Sequence, residues 1–497
     1  MQQDSLIFIL VSLTLVVVVV SQLRQHALPR MLAAVKSAVV KKFPSPWRRD
    51  IFVTDRAAAH RLLVRGGAFS NRPPSIVPSA VLSRHRHYNI NSAPYGPLWR
   101  AIRRNLTAET LHPSRLRRHG AARRRALRGL VADLDDAQSG GGAVRAAESL
   151  RGAVFGLMAA MCFGGGVDPA AAQDDLVQCF PGMRVFATLP AITGLIFRKR
   201  WKKMVALRRQ QEEMYLPLID ARRRRLHRHD EPPAYVDTLV DLRVPDDDDA
   251  AAACVGGRRK RRRRRLTDGE LVGLCSEFLG AGTEPAAAAL QWIMANLVKR
   301  PDAQDAIRRE IDAAVGADAE EVGEEVLGLL EYLNAVVMEG LRLHPTVPLV
   351  LRQVMAEDHV VLDDGKRVST GTSVLFPPES LAQDKTAWSD PREFRPERFL
   401  AGGEGEGVSL VAAAGSAGEI RMMPFGAGRR MCPGMGVAVL HLGYFVANLV
   451  REFRWAEADR DELAAVDLRP HVGFFVVMER PLRARLTPLR RRLKPSC

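Results

Sequence analysis

The chain has 497 residues, 47% of them hydrophobic, so it is large enough for a sizeable buried core and too apolar to be intrinsically disordered. Its 73 Lys and Arg residues outnumber its 56 Asp and Glu residues, giving a formal net charge of +17 at pH 7. Much of this surplus lies in two tracts, Arg222–Arg225 and Arg258–Arg265, on an otherwise ordinary composition. Six cysteines in a chain of this length are too few for a disulfide scaffold, and none form a CxxC pair, so the thiols are expected to be reduced.

An apolar run near the N-terminus predicts a membrane anchor. Ser5–Val20 has no charged residue. Its sixteen residues are just fewer than the ~17–25 residues of a membrane-spanning helix, and an extension of the helix to Leu23 would reach that length. A cleaved signal peptide is the alternative, but no basic stretch precedes the run and no small-x-small site follows it. Basic residues lie downstream, which favours a single-pass signal anchor over 1–23, a linker over 24–50 and a cytosolic body.

The segments that follow have mainly helical patterns. Ile51–Val53 is a short strand candidate, and Asp55 is placed to cap a helix that continues to Val64. Pro97–Leu106 has helical spacing with a basic face, and Val144–Arg225 is again mainly helical.

Residues 244–265 interrupt this pattern with four aspartates, an alanine run, two glycines and eight consecutive basic residues. Such blocks cannot bury a core, so they predict a charged, low-complexity surface loop. A nuclear-localisation or nucleic-acid-binding tract is the sharper alternative, but it has little use in a membrane-anchored chain. We therefore expect no nucleic-acid partner.

Regular patterns return at Thr267, where Thr267 and Glu270 have the spacing of a capping box. The helix that starts there should continue to Lys299 and end before Pro301. The other predicted elements are helices up to Val315, from Glu324 to Leu343 and from Val437 to Arg451, strands over 359–362 and 373–375, and a small-residue loop over 402–418. The chain is thus predicted to be mostly α-helical with a minor sheet.

The most informative stretch is PFGAGRRMCPGMG, from Pro424 to Gly436. It fits the pattern F-x-x-G-x-R-x-C-x-G, whose five fixed positions arise by chance in roughly one chain of this length in ten thousand. The matching residues are Phe425, Gly428, Arg430, Cys432 and Gly434.

The chemistry of this stretch suits a soft metal ligand. Cys432 stands just before a predicted helix with Pro433 in its first turn, so backbone N–H groups and the helix dipole would stabilise a thiolate. Gly428 and Gly434 allow a flat ligand to approach the backbone, and Arg430 can pair with an anionic group at its edge. An inert core thiol is the alternative, and we adopt it for the other five cysteines.

On these residues the chain resembles the cytochrome P450 family, the haem-thiolate monooxygenases, and most closely the plant type anchored in the endoplasmic reticulum. The resemblance extends from about Ile51 to the C-terminus. It implies a P450 fold, mostly α, with a large helical domain around the haem and small β-sheets, in a catalytic domain over 51–497. It also implies that Cys432 is the axial ligand of the iron in haem b, where a thiolate favours O–O cleavage.

Two further sets of residues match the family. Glu339 and Arg342 form E-x-x-R, and the resemblance places Arg398, from the PERF segment, beside them to lock the segment that carries the thiolate. The residues that hold the haem propionates in the family correspond to Trp99, Arg103, Arg352 and Arg430.

The oxygen-activating segment matches the family in part. Leu279–Pro285 reads LGAGTEP against the family pattern A/G-G-x-D/E-T, with matches at Ala281, Gly282 and Glu284. The resemblance implies that the small residues make room for O2 and that Glu284 relays protons.

Proline stands where the family has its threonine. Pro285 lacks an N–H and crowds the carbonyl of Ala281, which predicts a sharp kink, and Thr283 is the nearest remaining hydroxyl. The hypothesis that follows is a chain that binds haem but couples reduction to oxygenation poorly.

The front of the domain departs from the family as well. Only Pro29, Pro44 and Pro46 represent the proline-rich hinge, and the strands that usually open the small sheet are missing from the sequence. Either the native sheet is shortened or the gene model is imperfect.

Three functions are open at this point. The first is a monooxygenase that receives electrons from NADPH through a cytochrome reductase, which would dock on a basic face around Arg100, Arg103 and Arg104. This enzyme would act at the endoplasmic reticulum membrane, on a hydrophobic molecule delivered from membrane lipid. The second is a hydroperoxide isomerase or dehydratase, although the thiolate loop lacks the insertion typical of that class. The third is a non-catalytic haem or nucleic-acid binder. The resemblance implies that the substrate pocket is lined by residues 76–89, 278–283, 346–349 and 472–475.

Overall fold

The structure, a computed structural model, describes residues 50–490 apart from 66–68, 74–81, 83–87, 166–185, 187–189, 226–232, 246–262, 317, 355–359, 362–366, 369–371, 411–418 and 458–464. The predicted anchor over 1–23 and the linker, apart from Asp50, lie outside the described residues. The compact unit described below begins at Phe52.

Most of the described chain is helical, as predicted. The α-helices are α1 (Arg56–His60), α2 (Pro97–Asn105), α3 (Pro113–Leu116), α4 (Gly120–Ser139), α5 (Ala146–Phe163), α6 (Pro190–Ile196), α7 (Arg198–Arg225), α8 (Tyr235–Val240), α9 (Asp268–Lys299), α10 (Pro301–Val315), α11 (Glu331–Leu343), α12 (Pro378–Ala382) and α13 (Met435–Glu452). Single turns of other helix types extend α1 and α2, over Arg61–Arg65 and Leu106–Thr110.

Helix α9 is the central element of the core. It begins with the predicted capping box, in which the Thr267 hydroxyl accepts from the Glu270 N–H and the Glu270 carboxylate accepts from the Thr267 N–H. It packs against α5, α7, α11 and α13, and most of its side chains are buried. The helix continues through Pro285 to Lys299, so proline at this position does not end it.

Short strands surround this helical core. They are β1 (Ile51–Phe52), β2 (Val144–Arg145), β3 (Arg243–Pro245), β4 (Arg263–Arg265), β5 (Val350–Gln353), β6 (Val360–Val361), β7 (Arg367–Val368), β8 (Ser373–Phe376), β9 (Phe453–Ala456), β10 (Pro470–Val472), β11 (Val476–Met478) and β12 (Arg483–Pro488). Two sheets have three strands, in the orders β1-β8-β5 and β2-β12-β9, and the others are two-stranded ladders.

The boundaries differ most from prediction at the start of α11 and at the 244–265 loop. Helix α11 begins at Glu331 rather than near Glu324, because residues 327–329 form a 3-10 turn and the Glu324 carboxylate instead pairs with Arg123. The two ends of the predicted 244–265 loop are strands β3 and β4, paired antiparallel, while residues 246–262 lie outside the description.

One helix of the described residues, α5, is long and apolar enough to cross a bilayer. It is 56% buried within the fold and packs against α4 and α9. Helix α5 therefore serves as a core helix here.

Candidate active site

The thiolate loop, residues 424–434, is a tightly bonded turn before α13. The Cys432 N–H donates to the Phe425 carbonyl at 2.9 Å, and the Met431 N–H donates to the Gly428 carbonyl at 3.0 Å. Gly428 has φ +69°, and a Cβ there would overlap the Leu63 carbonyl oxygen. Glycine at this position is therefore required by both the backbone conformation and the close approach of the chain.

Cys432 is half-buried, and its surroundings have opposing effects on the pKa of its thiol. Burial raises the pKa of Cys432, whereas the Gly434 N–H and the guanidinium groups of Arg103 and Arg72 lower it. A metal ion bound there would displace the thiol proton, so the pKa of Cys432 would influence its affinity for the metal. Helix α13 begins at Met435, so the proline predicted in its first turn lies before it.

Four arginines converge near Cys432, and we call them the cationic cluster: Arg72, Arg103, Arg352 and Arg430. Their guanidinium groups bond mostly to backbone carbonyls. Arg103 donates to Met431 at 2.6 Å and Arg352 to Ala427 at 3.2 Å.

Arg430 is bonded to three carbonyls, those of Ser70, Ile90 and Ala93, at 2.9, 3.2 and 2.7 Å. It also lies 4.4 Å from the centre of the Trp99 ring, with Arg103 at 5.3 Å from the same ring.

The cationic cluster carries more positive charge than its protein neighbours neutralise. Burial and the repulsion of Arg72, Arg430 and Arg103 lower the pKa of Arg352, and burial lowers the pKa of Arg430 to about 9. Within the described part of the chain, no carboxylate lies within ion-pair distance of Arg103, Arg352 or Arg430. Buried cations without anionic partners are costly, so this cluster fits an anionic ligand.

Helix α9 presents one accessible face among buried turns. Ala281 is exposed and Glu277, Glu284 and Pro285 are half-buried, whereas the turns on either side are mostly buried. Positions 277, 281 and 284 share a helix face because they are three or four residues apart, about one turn, and position 285 lies beside 284 at the border of that face.

Two of the predicted catalytic residues lie away from that face. Thr283 is 1% exposed, and its hydroxyl has no hydrogen-bond partner among the described residues. Gly282 lies against α5, where a Cβ would overlap the Met158 side chain. Their roles in oxygen activation remain predictions.

Glu284, the acidic residue of the oxygen-activating segment, forms an ion pair. Arg151, from α5, donates to the Glu284 carboxylate from Nε at 2.9 Å. Both side chains are about one-quarter to one-third exposed, at 31% and 24%. Glu284 is therefore held in place by a second helix.

A buried ion network supports the segment before the thiolate loop, as predicted. Glu339 and Arg342 are 0% exposed, and two bonds at 2.6 and 2.9 Å join them. Arg398 donates to Glu339 at 3.2 Å, and Arg342 also donates to the carbonyls of Ala382 and Pro391. The second arginine satisfies the remaining lone pairs of Glu339, which makes the burial tolerable.

The chain matches the family model for cytochrome P450 over residues 32–483. It belongs to the cytochrome P450 family. Cytochrome P450 89A9 of Arabidopsis thaliana is 37% identical over 89% of this chain and 85% of its own length. Flavonoid 3'-monooxygenase of Petunia hybrida is 29% identical over 82% of this chain and 77% of its own.

Solved structures agree on the fold. The solved structure of a zebrafish cytochrome P450 with progesterone aligns with a TM-score of 0.66 and 23% identity, over 88% of this chain and 93% of that one. The plant-type P450 resemblance and the mostly α P450 fold are confirmed, and this P450 is a monooxygenase oxidoreductase.

The residues present fit haem, the cofactor that this family implies. The thiol of Cys432 lies beside a cluster of cations that its protein neighbours neutralise only in part, which suits an iron ligand beside two propionates. Haem bound there would supply the iron that takes up O2 and delivers one oxygen atom.

Three residues of this region were not identified from the sequence. Arg72 joins the cationic cluster, Arg151 holds Glu284, and Glu277 bonds to the backbone of residues 90 and 91. None belongs to a motif. The one available signal was Glu277 itself, a carboxylate in an apolar stretch of helix one turn before Ala281.

Proposed function

We propose that this P450 inserts one atom of O2 into a hydrophobic small molecule, with electrons from NADPH supplied by a separate cytochrome reductase. In this reaction a C–H bond becomes C–OH, the second oxygen atom leaves as water, and NADPH is oxidised. The observation that carries the proposal is Cys432 in a bonded turn beside the cationic cluster, whose positive charge is only partly neutralised by protein groups. Haem b held by Cys432, Phe425, Gly428, Arg430, Gly434, Trp99, Arg103 and Arg352 is part of the proposal.

Substrate delivery and electron supply both follow from the expected setting. We infer a single-pass anchor over 1–23 in the endoplasmic reticulum membrane, with the 51–497 catalytic domain on the cytosolic side. Exposed Arg100 and Arg104 on α2 would suit an acidic reductase surface. Residues from two of the predicted substrate segments, Val347 and Val472, line one cavity of about 730 Å³, whose wall also carries charged side chains such as Lys299 and Glu379.

A carbon monoxide difference spectrum and NADPH-dependent turnover test this function. The full-length protein should show the band of thiolate-bound haem and form hydroxylated product only when reductase is present. Cys432→Ala should abolish both signals. Persistence of the band in Cys432→Ala, or its absence from the parent, would contradict the assignment.

Poor coupling is the finer hypothesis, and its support is the residue at position 285. Pro285 has no hydroxyl, and the nearest one, on Thr283, points into the core. Product formed per NADPH should rise severalfold in Pro285→Thr, with Pro285→Ala as the control that restores the N–H alone. Tight coupling in the parent, unchanged by Pro285→Thr, would contradict it.

The absence of a hydroxyl at position 285 also favours a second candidate, a hydroperoxide isomerase or dehydratase, which needs neither O2 nor a hydroxyl at this position. It predicts turnover of a lipid hydroperoxide without NADPH. The continuous PFGAGRRMCPG loop and the presence of Glu284 favour the monooxygenase.

A further inference from the structure

Residues 89–93 form a turn between the chain near Arg72 and helix α2. The turn is closed by its own side chains: the Ser92 N–H donates to Asn89 Oδ1 at 2.9 Å, and the Asn89 N–H donates to Ser92 Oγ at 3.0 Å. The Ala93 N–H adds a bond to the Asn89 carbonyl at 2.9 Å. The turn is therefore a compact unit that an outside contact can position as a whole.

One carboxylate of α9 makes such a contact. Glu277 Oε2 accepts from the Ile90 N–H at 2.8 Å, and Oε1 accepts from the Asn91 N–H at 2.6 Å. Two adjacent backbone donors thus meet the two oxygens of one side chain nearly 190 positions away in sequence, which fixes the turn in both position and orientation.

The other side of Ile90 carries two donors of the candidate haem site. The Ile90 carbonyl accepts from the Trp99 indole N–H at 3.1 Å and from Arg430 at 3.2 Å. The Ile90 peptide therefore links Glu277 on α9 to the thiolate loop and to α2.

The charges around Glu277 agree with this role. Arg72 and Arg430 of the cationic cluster face Glu277. On α8, burial and then the negative charge of Glu277 raise the pKa of the Tyr235 hydroxyl. Arg72 in turn donates to the Asn91 side chain. Burial raises the pKa of Glu277 to about 7, while the two N–H groups and the two arginines oppose that rise.

We propose that Glu277 is a positioning residue, which holds the 89–93 turn on α9 and thereby sets the Trp99 indole and the Arg430 guanidinium at the edge of the haem. The proposal rests on the haem site of the proposed function, and no family motif assigns a role to this position.

The test compares full-length, haem-loaded Glu277→Leu and Glu277→Gln with the parent at pH 8. Hydrogen exchange of the Ile90 and Asn91 amides should be about 10-fold faster in Glu277→Leu, because each loses a bond to a charged acceptor. Glu277→Gln keeps one acceptor oxygen and should be intermediate. Haem transfer to apomyoglobin should also be about 10-fold faster in Glu277→Leu, while the carbon monoxide band keeps its position because Cys432 is intact.

Glu270→Gln is the matched control, since it alters a carboxylate of the same helix that bonds Thr267 and Arg264 instead. It should lower thermal stability yet leave both exchange at 89–93 and haem transfer as in the parent. Unchanged exchange in Glu277→Leu, or faster exchange with unchanged haem transfer, would overturn the proposal, as would an equal effect of Glu270→Gln. Failure of the proposed function is distinguishable, because the parent itself would then lack the carbon monoxide band.

Discussion

The thiolate loop and the middle of α9 both carry family chemistry, but they are stabilised in different ways. In the thiolate loop every fixed position of the motif is present, and backbone bonds and a glycine at φ +69° leave it one conformation. In α9 the helix persists through a proline, and its polar groups are placed by partners from elsewhere, Arg151 for Glu284 and the 89–93 turn for Glu277. A local motif thus defines the first region, whereas long-range contacts define the second.

The largest expected effect breaks the thiolate loop. Gly428→Ala places a Cβ on the Leu63 carbonyl oxygen and forces a left-handed backbone on alanine, so it should cost about 3 kcal/mol or more of unfolding free energy and abolish haem loading. Gly436→Ala is the matched control, since nothing lies within 4 Å of its Cβ. Normal haem content in Gly428→Ala would show that the loop is less constrained than its contacts indicate.

Next in size is the buried network that supports this region. Glu339→Gln leaves Arg342 and Arg398 without a buried counter-charge, so it should cost about 3–5 kcal/mol, measured by urea unfolding. Arg454→Gln breaks an exposed pair with Asp305 and should change stability by under about 1 kcal/mol. Equal effects of the two variants would contradict the importance of burial.

Helix α13, which follows the thiolate loop, and helix α9 should respond to pH with opposite signs. On α13, burial lowers the pKa of His441 to about 3, so the folded state resists a proton that the unfolded state accepts. Stability is then lost as pH falls below about 6.5, by roughly 2 kcal/mol at pH 5. His441→Phe should flatten the urea midpoint between pH 7 and pH 5, and an unchanged slope would contradict this.

On α9, the raised pKa of Glu277, about 7, has the reverse consequence. The folded state binds the proton more tightly than the unfolded state, so this stabilisation is present below about pH 4.5 and lost as pH rises to 7. Because the side chain is half-buried, we expect only about 1 kcal/mol. In Glu277→Gln the loss between pH 5 and pH 7.5 should disappear, and its persistence would assign it to another group.

The smallest effect concerns the pair that holds Glu284. Arg151→Gln should change the unfolding free energy by under about 1 kcal/mol, since both side chains are partly exposed. If Glu284 delivers protons as the resemblance implies, product per NADPH should change in this variant while the carbon monoxide band does not. An unaltered ratio would mean that the position of Glu284 is immaterial to coupling.

Patterns that depend on neighbours in sequence were predicted well. The capping box at Thr267, the span of α9 and the end of α10 at Val315 follow from local capping, period and proline placement, and all are confirmed. The start of α11 was wrong by seven residues, because Glu324 pairs with Arg123 of a distant helix. Several two- to six-residue strands were missed, since their pairing partners lie far away in sequence.

The sequence by itself determined the family and the helical character of this protein and identified Cys432 as the candidate thiolate, because a dense motif and helical periodicity are properties of adjacent residues. Only the tertiary structure decided that four arginines meet near Cys432 with Glu277 as the one carboxylate, among the described residues, facing two of them, that the Thr283 side chain is buried, and that Glu277 reaches the backbone of Ile90. These facts depend on which helix face is buried and on which distant backbone donors it meets. Neither the buried face of a helix nor its distant hydrogen-bond donors can be predicted from the spacing of neighbouring residues.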